Sequence, residues 1–266
     1  MALWSIDLRK LSRRCVPKCQ LMSGKQCRME NAPTIVDPDH IESVLSDEVG
    51  RMSPGSRLAT ERELMDRFNA PRSMIRRVLT SMESRFLISR ELGSGTYVAD
   101  RARIVIGNRI APSFHSAIEA FGKQADTKLV ESSRVKLPDL QAEMLGMLPG
   151  ADTLLLDRIG YVDGLPATVV REWVVPNRLH DLDVALGVIE SVYESLQAFG
   201  FTPVRRRTVA TVTDMPPEVR GRLGQRRPVM CWLIITASED AKSGQPLMVS
   251  ETYMRMSLID LRFDFH

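Results

Sequence analysis

The stretch from Thr60 to Val98 constrains the fold more than any other part of this chain. It packs helix starts, helix stops and a glycine-tipped turn into a short span. Thr60-Glu-Arg-Glu63 has the form of a capping box, in which the threonine hydroxyl and the Glu63 carboxylate each satisfy a backbone N–H at a helix start. Leu64, Met65 and Phe68 give that helix an apolar face, and Asn69-Ala70 ends it. Pro71 suits the first turn of the next helix, where its missing N–H costs nothing. That helix is expected to run to about Phe86, with Ile75, Val78, Leu79 and Met82 facing inward. Leu87–Val98 reads as two short extended runs around Gly93-Ser94-Gly95, a small hairpin. Upstream, Ile41, Val44, Leu45 and Val49 recur at helical spacing, with Asp39 as the expected N-cap and Gly50 as the stop. Three helices, a tight turn between the second and third, and a hairpin make a winged helix-turn-helix.

Such a unit reads DNA through particular side chains. Arg72, Ser73, Arg76 and Arg77 lie in the N-terminal half of the third helix, the end by which a recognition helix enters the major groove. Arginine there chelates guanine or clamps phosphate, and the helix N-terminus favours a phosphate electrostatically. Thr60 and Arg62, at the start of the second helix, are placed for backbone contact. At the wing tip, Ser94 and Gly95 are the candidate minor-groove contacts, since glycine allows close approach. A three-helix interaction module with surface arginines is the competing reading; the wing and the turn spacing count against it.

The length of 266 residues suits one large domain or two modest ones, and 26% charged residues is ordinary for a soluble protein. No apolar run is long enough to span a bilayer, so a cytoplasmic protein without membrane partners is expected. The net charge of +3 matters less than its clustering. Arg9, Lys10, Arg13, Arg14, Lys18, Lys25 and Arg28 crowd an N-terminal extension, and Arg205–Arg207 form another group. Met1–Arg28 lacks the apolar core of a secretory signal. Cys15, Cys19 and Cys27 have no matching ligand group elsewhere, and Cys231 stands apart, so reduced thiols rather than a zinc site are expected. The chain is thus divided into a basic, flexible extension (1–38), a winged helix-turn-helix (39–100), a linker (101–112) and a second domain (113–266).

The second domain mixes periods. Strands are expected at Lys128–Val135, Thr153–Val162, Ala167–Val174, Arg207–Thr213, Pro228–Ala237 and Met248–Met254. Helices are expected at Ser113–Gly122, Leu140–Leu145, Ser191–Phe199 and Glu218–Leu223. Turns such as Asp163-Gly164 and Ser243-Gly244 join neighbouring strands, which implies an α+β domain with a mostly antiparallel sheet.

Two resemblances follow. Pro54–Leu64 and Phe68–Leu79, with the Gly-Ser-Gly-Thr-Tyr-Val wing, resemble the N-terminal domain of GntR-type transcription regulators. Ala59 stands where these proteins usually have proline, Pro71 is atypical before the recognition arginine, and Ser94 replaces a common wing arginine. The order of Leu148-Pro-Gly150, Asp157–Pro166, Glu172–Pro176, Ser191–Ser195, Ser243–Pro246 and Tyr253-Met-Arg255 resembles the UTRA effector domain of the HutC-like subgroup. The resemblance implies a chorismate-lyase-like α+β domain that binds a small metabolite and forms a homodimer, as well as operator DNA as the partner of the head.

For the effector, Ser113-Phe114-His115-Ser116 opens a helix whose free N–H groups and two hydroxyls offer an anion cradle. Arg158, on an expected strand, stands at a position that resembles the phosphate-binding arginine of sugar-phosphate sensors in this family, with a surface ion pair as the plainer reading. By the same resemblance Ser191 and Tyr193 hold ligand, although Tyr193 suits a core as well; Tyr161 is a further candidate. Gly200–Thr211 is similar to a segment of phosphonate-utilisation regulators, which brings in Arg207 and a phosphonate or other phosphorus-containing anion; a sugar phosphate or carboxylate is the alternative, and a solvated strand start the plainer reading of Arg205–Arg207. Met248 stands where amino-sugar-phosphate sensors place glutamate, with Glu251 on the opposite strand face. A lyase-like enzyme is the rival from another class. The histidines His40, His115, His180 and His266 form no visible pair with a nucleophile, and phosphate-loop and metal motifs are absent, so no enzyme and no cofactor are expected. A constitutive regulator that has lost its ligand is a second rival.

Overall fold

The structure, a computed structural model, describes residues 37–91, 93–107, 113–175 and 191–264. The N-terminal extension with Cys15, Cys19 and Cys27 therefore lies outside the described residues, as do residues 176–190, His180 among them.

The winged head is built from α1 (Pro38–Val49), α2 (Glu61–Phe68), α3 (Arg72–Ser84), β1 (Ile88–Glu91) and β2 (Gly95–Val98). Its helix signals act as the sequence implies, with two shifts, one being that Pro71 caps α3 from just outside instead of opening its first turn. The N-cap of α1 is Asp37, not Asp39: Pro38 is preorganised for the first turn, and the Asp37 carboxylate accepts from the Asp39 N–H at 3.0 Å. The capping box of α2 is complete, with the Thr60 N–H donating to Glu63 Oε2 at 2.8 Å and the Glu63 N–H donating to Thr60 Oγ1 at 3.3 Å. Asn69 closes that helix in the left-handed conformation, φ 47°. Ile41, Leu45, Leu64, Ile75, Leu79 and Met82 are fully buried together between the three helices. Arg57 bridges Tyr97, so the segment before α2 lies alongside the wing.

Beyond the head, a six-stranded antiparallel sheet has the order β4-β5-β6-β9-β8-β7. Its strands are β4 (Ala125–Lys136), β5 (Asp152–Val162), β6 (Leu165–Val174), β7 (Pro203–Asp214), β8 (Met230–Asp240) and β9 (Pro246–Arg255). One face packs against α5 (Asp139–Leu145) and α7 (Pro217–Arg222) through Trp173, Val249 and Val169. The other face meets α4 (Phe114–Glu119) and α6 (Val192–Ala198).

The segment read as a linker contains β3 (Ala102–Ile106), which pairs in parallel with β10 (Ile259–Phe263). Ala102, Ile104 and Ile106 are buried and Arg103 is exposed, a period of two that fits a half-buried strand rather than a connector. Charge ties the same region to the head. Lys123 Nζ donates to Asp100 at 2.7 Å and to Asp163 at 3.0 Å, and the Arg101 guanidinium lies over the Phe86 ring. Burial works against the Lys123 charge, yet the two carboxylates raise its pKa above the usual lysine value. Among the described residues no helix is long and apolar enough to cross a membrane.

Candidate functional site

Two surfaces carry the chemistry. On the head, Arg72, Ser73, Arg76 and Arg77 are all exposed in the first half of α3, with Thr60 and Arg62 exposed at the start of α2. Ser94 is exposed at the wing tip and Gly95 follows it, half-buried. The backbone of Gly95, at φ +140°, favours glycine, and a Cβ there would also press on the Arg57 side chain, 3.2 Å from Nε. The Ser94 hydroxyl shares a 2.6 Å hydrogen bond with the Tyr97 hydroxyl, which holds the tip.

Sequence reasoning missed Glu61, Arg57 and Arg90. Glu61, 20% exposed, accepts hydrogen bonds from three arginines: Arg72 Nε at 2.9 Å, Arg76 Nε at 3.0 Å and Arg90 Nη2 at 2.9 Å. Partial burial acts to raise its pKa, but the hydrogen bonds from Arg72 and Arg76 outweigh it and hold the carboxyl below the usual glutamate range. No local spacing signals this, because Glu61 stands at the end of α2 away from the tight turn and meets Arg72 and Arg76 only through the packing of the two helices.

The second surface is a cavity of about 140 Å³ between the sheet and α4, α6 and β3. Of the residues expected there, Ser113, Phe114, His115, Arg158, Ser191 and Tyr193 line it. Tyr161 and Ser116 do not: Tyr161 carries Lys128 over its ring, and the Ser116 N–H is taken by Ser113 Oγ, which caps α4. The serine hydroxyls thus hold the helix start and each other, at 2.9 Å, instead of standing open as a cradle.

Arg207 also lies outside. A bulge between Arg205 and Arg207 breaks the alternation of β7, so Arg205 lines the cavity while Arg207 faces Glu143 at 3.7 Å. Arg206 turns to the Leu145 carbonyl. Met248 packs in the core with Leu156, Val192 and Leu196. Glu251 points to the other sheet face, where Gln141 donates to it at 3.4 Å.

Glu172 is the residue sequence reasoning did not single out. It lies on β6, diagonal to Arg158 on β5, and their side chains meet with Arg158 Nε 2.9 Å from Glu172 Oε2 at 10% and 5% exposure. Burial pushes the Glu172 carboxyl above the usual range, while Arg158 pulls it back. Burial likewise lowers the pKa of Arg205 and raises that of Tyr193, whose hydroxyl shares a 2.6 Å hydrogen bond with Ser238. Thr168, Thr236 and Thr252 add buried hydroxyls. Buried polar groups gathered on the inner face of a sheet, around a small cavity with apolar walls, are the ordinary make-up of a ligand site. The wall is tight at Gly160, where a Cβ would collide with Thr168 Oγ1 and press on the Phe114 ring at 3.1 Å. Among the described residues no group of histidine, cysteine or carboxylate side chains is placed to hold a metal.

Comparison with known proteins covers both regions of the chain. Residues 45–98 match the gntR family of bacterial regulatory proteins, and residues 120–260 match the UTRA domain. The HTH-type transcriptional regulator GgaR of Escherichia coli (strain K12) is 27% identical over 211 residues, 79% of this chain and 82% of that protein. A probable fructoselysine utilization operon transcriptional repressor from the same strain is 23% identical over 224 residues, 81% of this chain and 88% of that protein. The fold is shared with the crystal structure of PhnF from Mycobacterium smegmatis at a TM-score of 0.57 and 22% identity, over 85% of this chain and 99% of that one.

Proposed function

We propose, for a chain that belongs to the gntR family of bacterial regulatory proteins and carries a UTRA domain, that it represses transcription and releases its operator when a small anionic metabolite enters the sheet cavity. The observation that carries this reading is a shared wall. Ile104 and Ile106 of β3 line the cavity, and β3 begins one residue after Arg101, which stacks on Phe86 at the end of the recognition-helix region. A ligand that shifts β3 or α4 therefore acts on the residues joining the two domains. Control of operator affinity requires only that the ligand bind two such states unequally. The repressor sense follows the fructoselysine relative, which is named as one. A homodimer places one recognition helix in each half of a palindromic operator.

The anion is met by Arg158 and Arg205. Its best match is a phosphorus-containing group, a phosphonate or a phosphate, because forked guanidinium donors fit such oxygens. Glu172 favours a second reading within the same class. Once an anion competes for Arg158, the Glu172 carboxylate needs other donors, and the hydroxyl groups of a sugar phosphate supply them.

A thermal-shift screen of the full chain against phosphonates, inorganic phosphate, sugar phosphates and plain carboxylates tests the reading, since a ligand of the native state raises the melting temperature. Stabilisation by one phosphorus-containing group is expected, lost in Arg158→Ala and in Arg205→Ala while both variants still bind DNA. A normal response by Arg158→Ala, or no response to any phosphorus anion, would remove this assignment of the cavity.

A further inference from the structure

We propose that Glu61 is a positioning residue for sequence recognition, an acidic anchor that aims the two recognition-helix arginines at DNA. This inference rests on the DNA-binding reading of the head and adds a role that no exposed basic residue fills.

The geometry is specific. Arg72 and Arg76 each donate Nε, the inner nitrogen of the guanidinium, to the same Glu61 carboxylate, at 2.9 and 3.0 Å. Among the described residues, the terminal Nη groups of both side chains make no hydrogen bond. Those terminal groups form the edge that chelates the O6 and N7 of guanine or two phosphate oxygens. Arginine has a long, flexible stem, and holding its Nε beforehand removes freedom that binding would otherwise have to freeze. Arg90 Nη2 brings β1 of the wing onto the same carboxylate at 2.9 Å, so one side chain registers helix and wing together.

The arrangement runs against simple electrostatics. A carboxylate facing phosphates repels them, and its loss alone strengthens binding to any duplex. Glu61 is only 20% exposed, whereas Arg72 and Arg76 are 62% and 55% exposed. The negative charge thus sits beneath the cations, and the arginine ends are what DNA meets. Three arginines on one carboxylate also keep the local sum positive. Charge and aim therefore make opposite predictions, which separates them.

The probe is a duplex that the wild-type full-length chain enriches from a random-sequence pool, with a scrambled duplex of equal length as reference. Affinities for both are read by fluorescence anisotropy in wild type, Glu61→Gln, Glu61→Ala and Glu61→Asp at matched salt. Expected is a fall of about tenfold or more in the selected-to-scrambled affinity ratio for Glu61→Gln and Glu61→Ala. Affinity for the scrambled duplex is unchanged or higher, and Glu61→Asp recovers part of the ratio. In an Arg72→Lys background, where the forked edge is already lost, Glu61→Gln should lower the ratio by clearly less. Thermal melting of each variant distinguishes lost aim from lost folding. A ratio within twofold of wild type in melting-competent Glu61→Gln and Glu61→Ala overturns the proposal and leaves the DNA-binding reading intact. Failure of the wild type to enrich any duplex overturns both.

Discussion

The head and the cavity use the same pair of groups, a guanidinium and a carboxylate, under opposite conditions. On the head, Glu61 faces arginines that are 62% and 55% exposed. In the cavity, Arg158 and Glu172 meet at 10% and 5% exposure. Exposed pairs contribute about 0–1 kcal/mol each, so the loss of any one of them costs the head little. A buried pair is different, because removing one partner strands the other charge in a medium that solvates it poorly. The contrast teaches where each site is adaptable. The head tolerates the loss of a single exposed pair, while the cavity holds Arg158 and Glu172 where a lost ion pair is costly.

The comparison breaks most visibly at Glu172. Glu172→Ala removes a buried carboxylate from its ion pair with Arg158, and an unfolding free energy lower by about 3–5 kcal/mol is expected in urea titration. A loss under about 1 kcal/mol would mean that water reaches the pair and that the two regions are alike. Next comes Gly160→Ala. The added Cβ collides with Thr168 Oγ1 and the Phe114 ring, so about 1–3 kcal/mol of stability should go, together with altered ligand response. Arg72→Ala should weaken binding to a selected duplex by roughly tenfold to a hundredfold in anisotropy, with an unchanged melting temperature. At the small end, Glu48→Ala removes the exposed partner of Arg67 and should shift unfolding by less than about 1 kcal/mol.

Titration sharpens the same contrast, because the two carboxyls shift in opposite directions from 4.5. Carboxyl NMR should find Glu61 titrating below that value and Glu172 above it. For Glu61, whose folded pKa is depressed, the stabilising contribution is present above the unfolded value and is lost as pH falls through the folded one. For Glu172, whose folded pKa is raised, the contribution is full below the unfolded value and is lost as pH rises through the folded one. Matching titrations at the two sites would sink the contrast.

Much of the head was legible in sequence because its determinants are local. A capping box, a proline and a glycine turn act within a few positions, and the structure uses each. The boundaries shifted: Pro38 starts α1 earlier than the apolar spacing suggests, with Asp37 as its cap, and Pro71 is the N-cap of α3 rather than part of its first turn. The cavity was legible where single residues carry it, such as Arg158 and Ser191, and obscure where registration decides. Whether Arg205 or Arg207 faces inward depends on a bulge that the alternation of side chains hides. Glu172 and Arg158 come together only through the β5–β6 register. β3 was missed for a related reason. Its period of two was visible, but its partner strand is distant, with Arg103 and Asp260 separated by 157 positions.

That long-range pairing has a consequence in time. A chain leaving the ribosome completes the winged head once Val98 has emerged, yet the cavity wall waits for Ile259–Phe263. At bacterial synthesis rates of about 5–20 residues per second, the interval is on the order of ten to thirty seconds. During it, the winged head precedes a complete second domain, so every newly made copy passes through a stage at which its two halves are of unequal age.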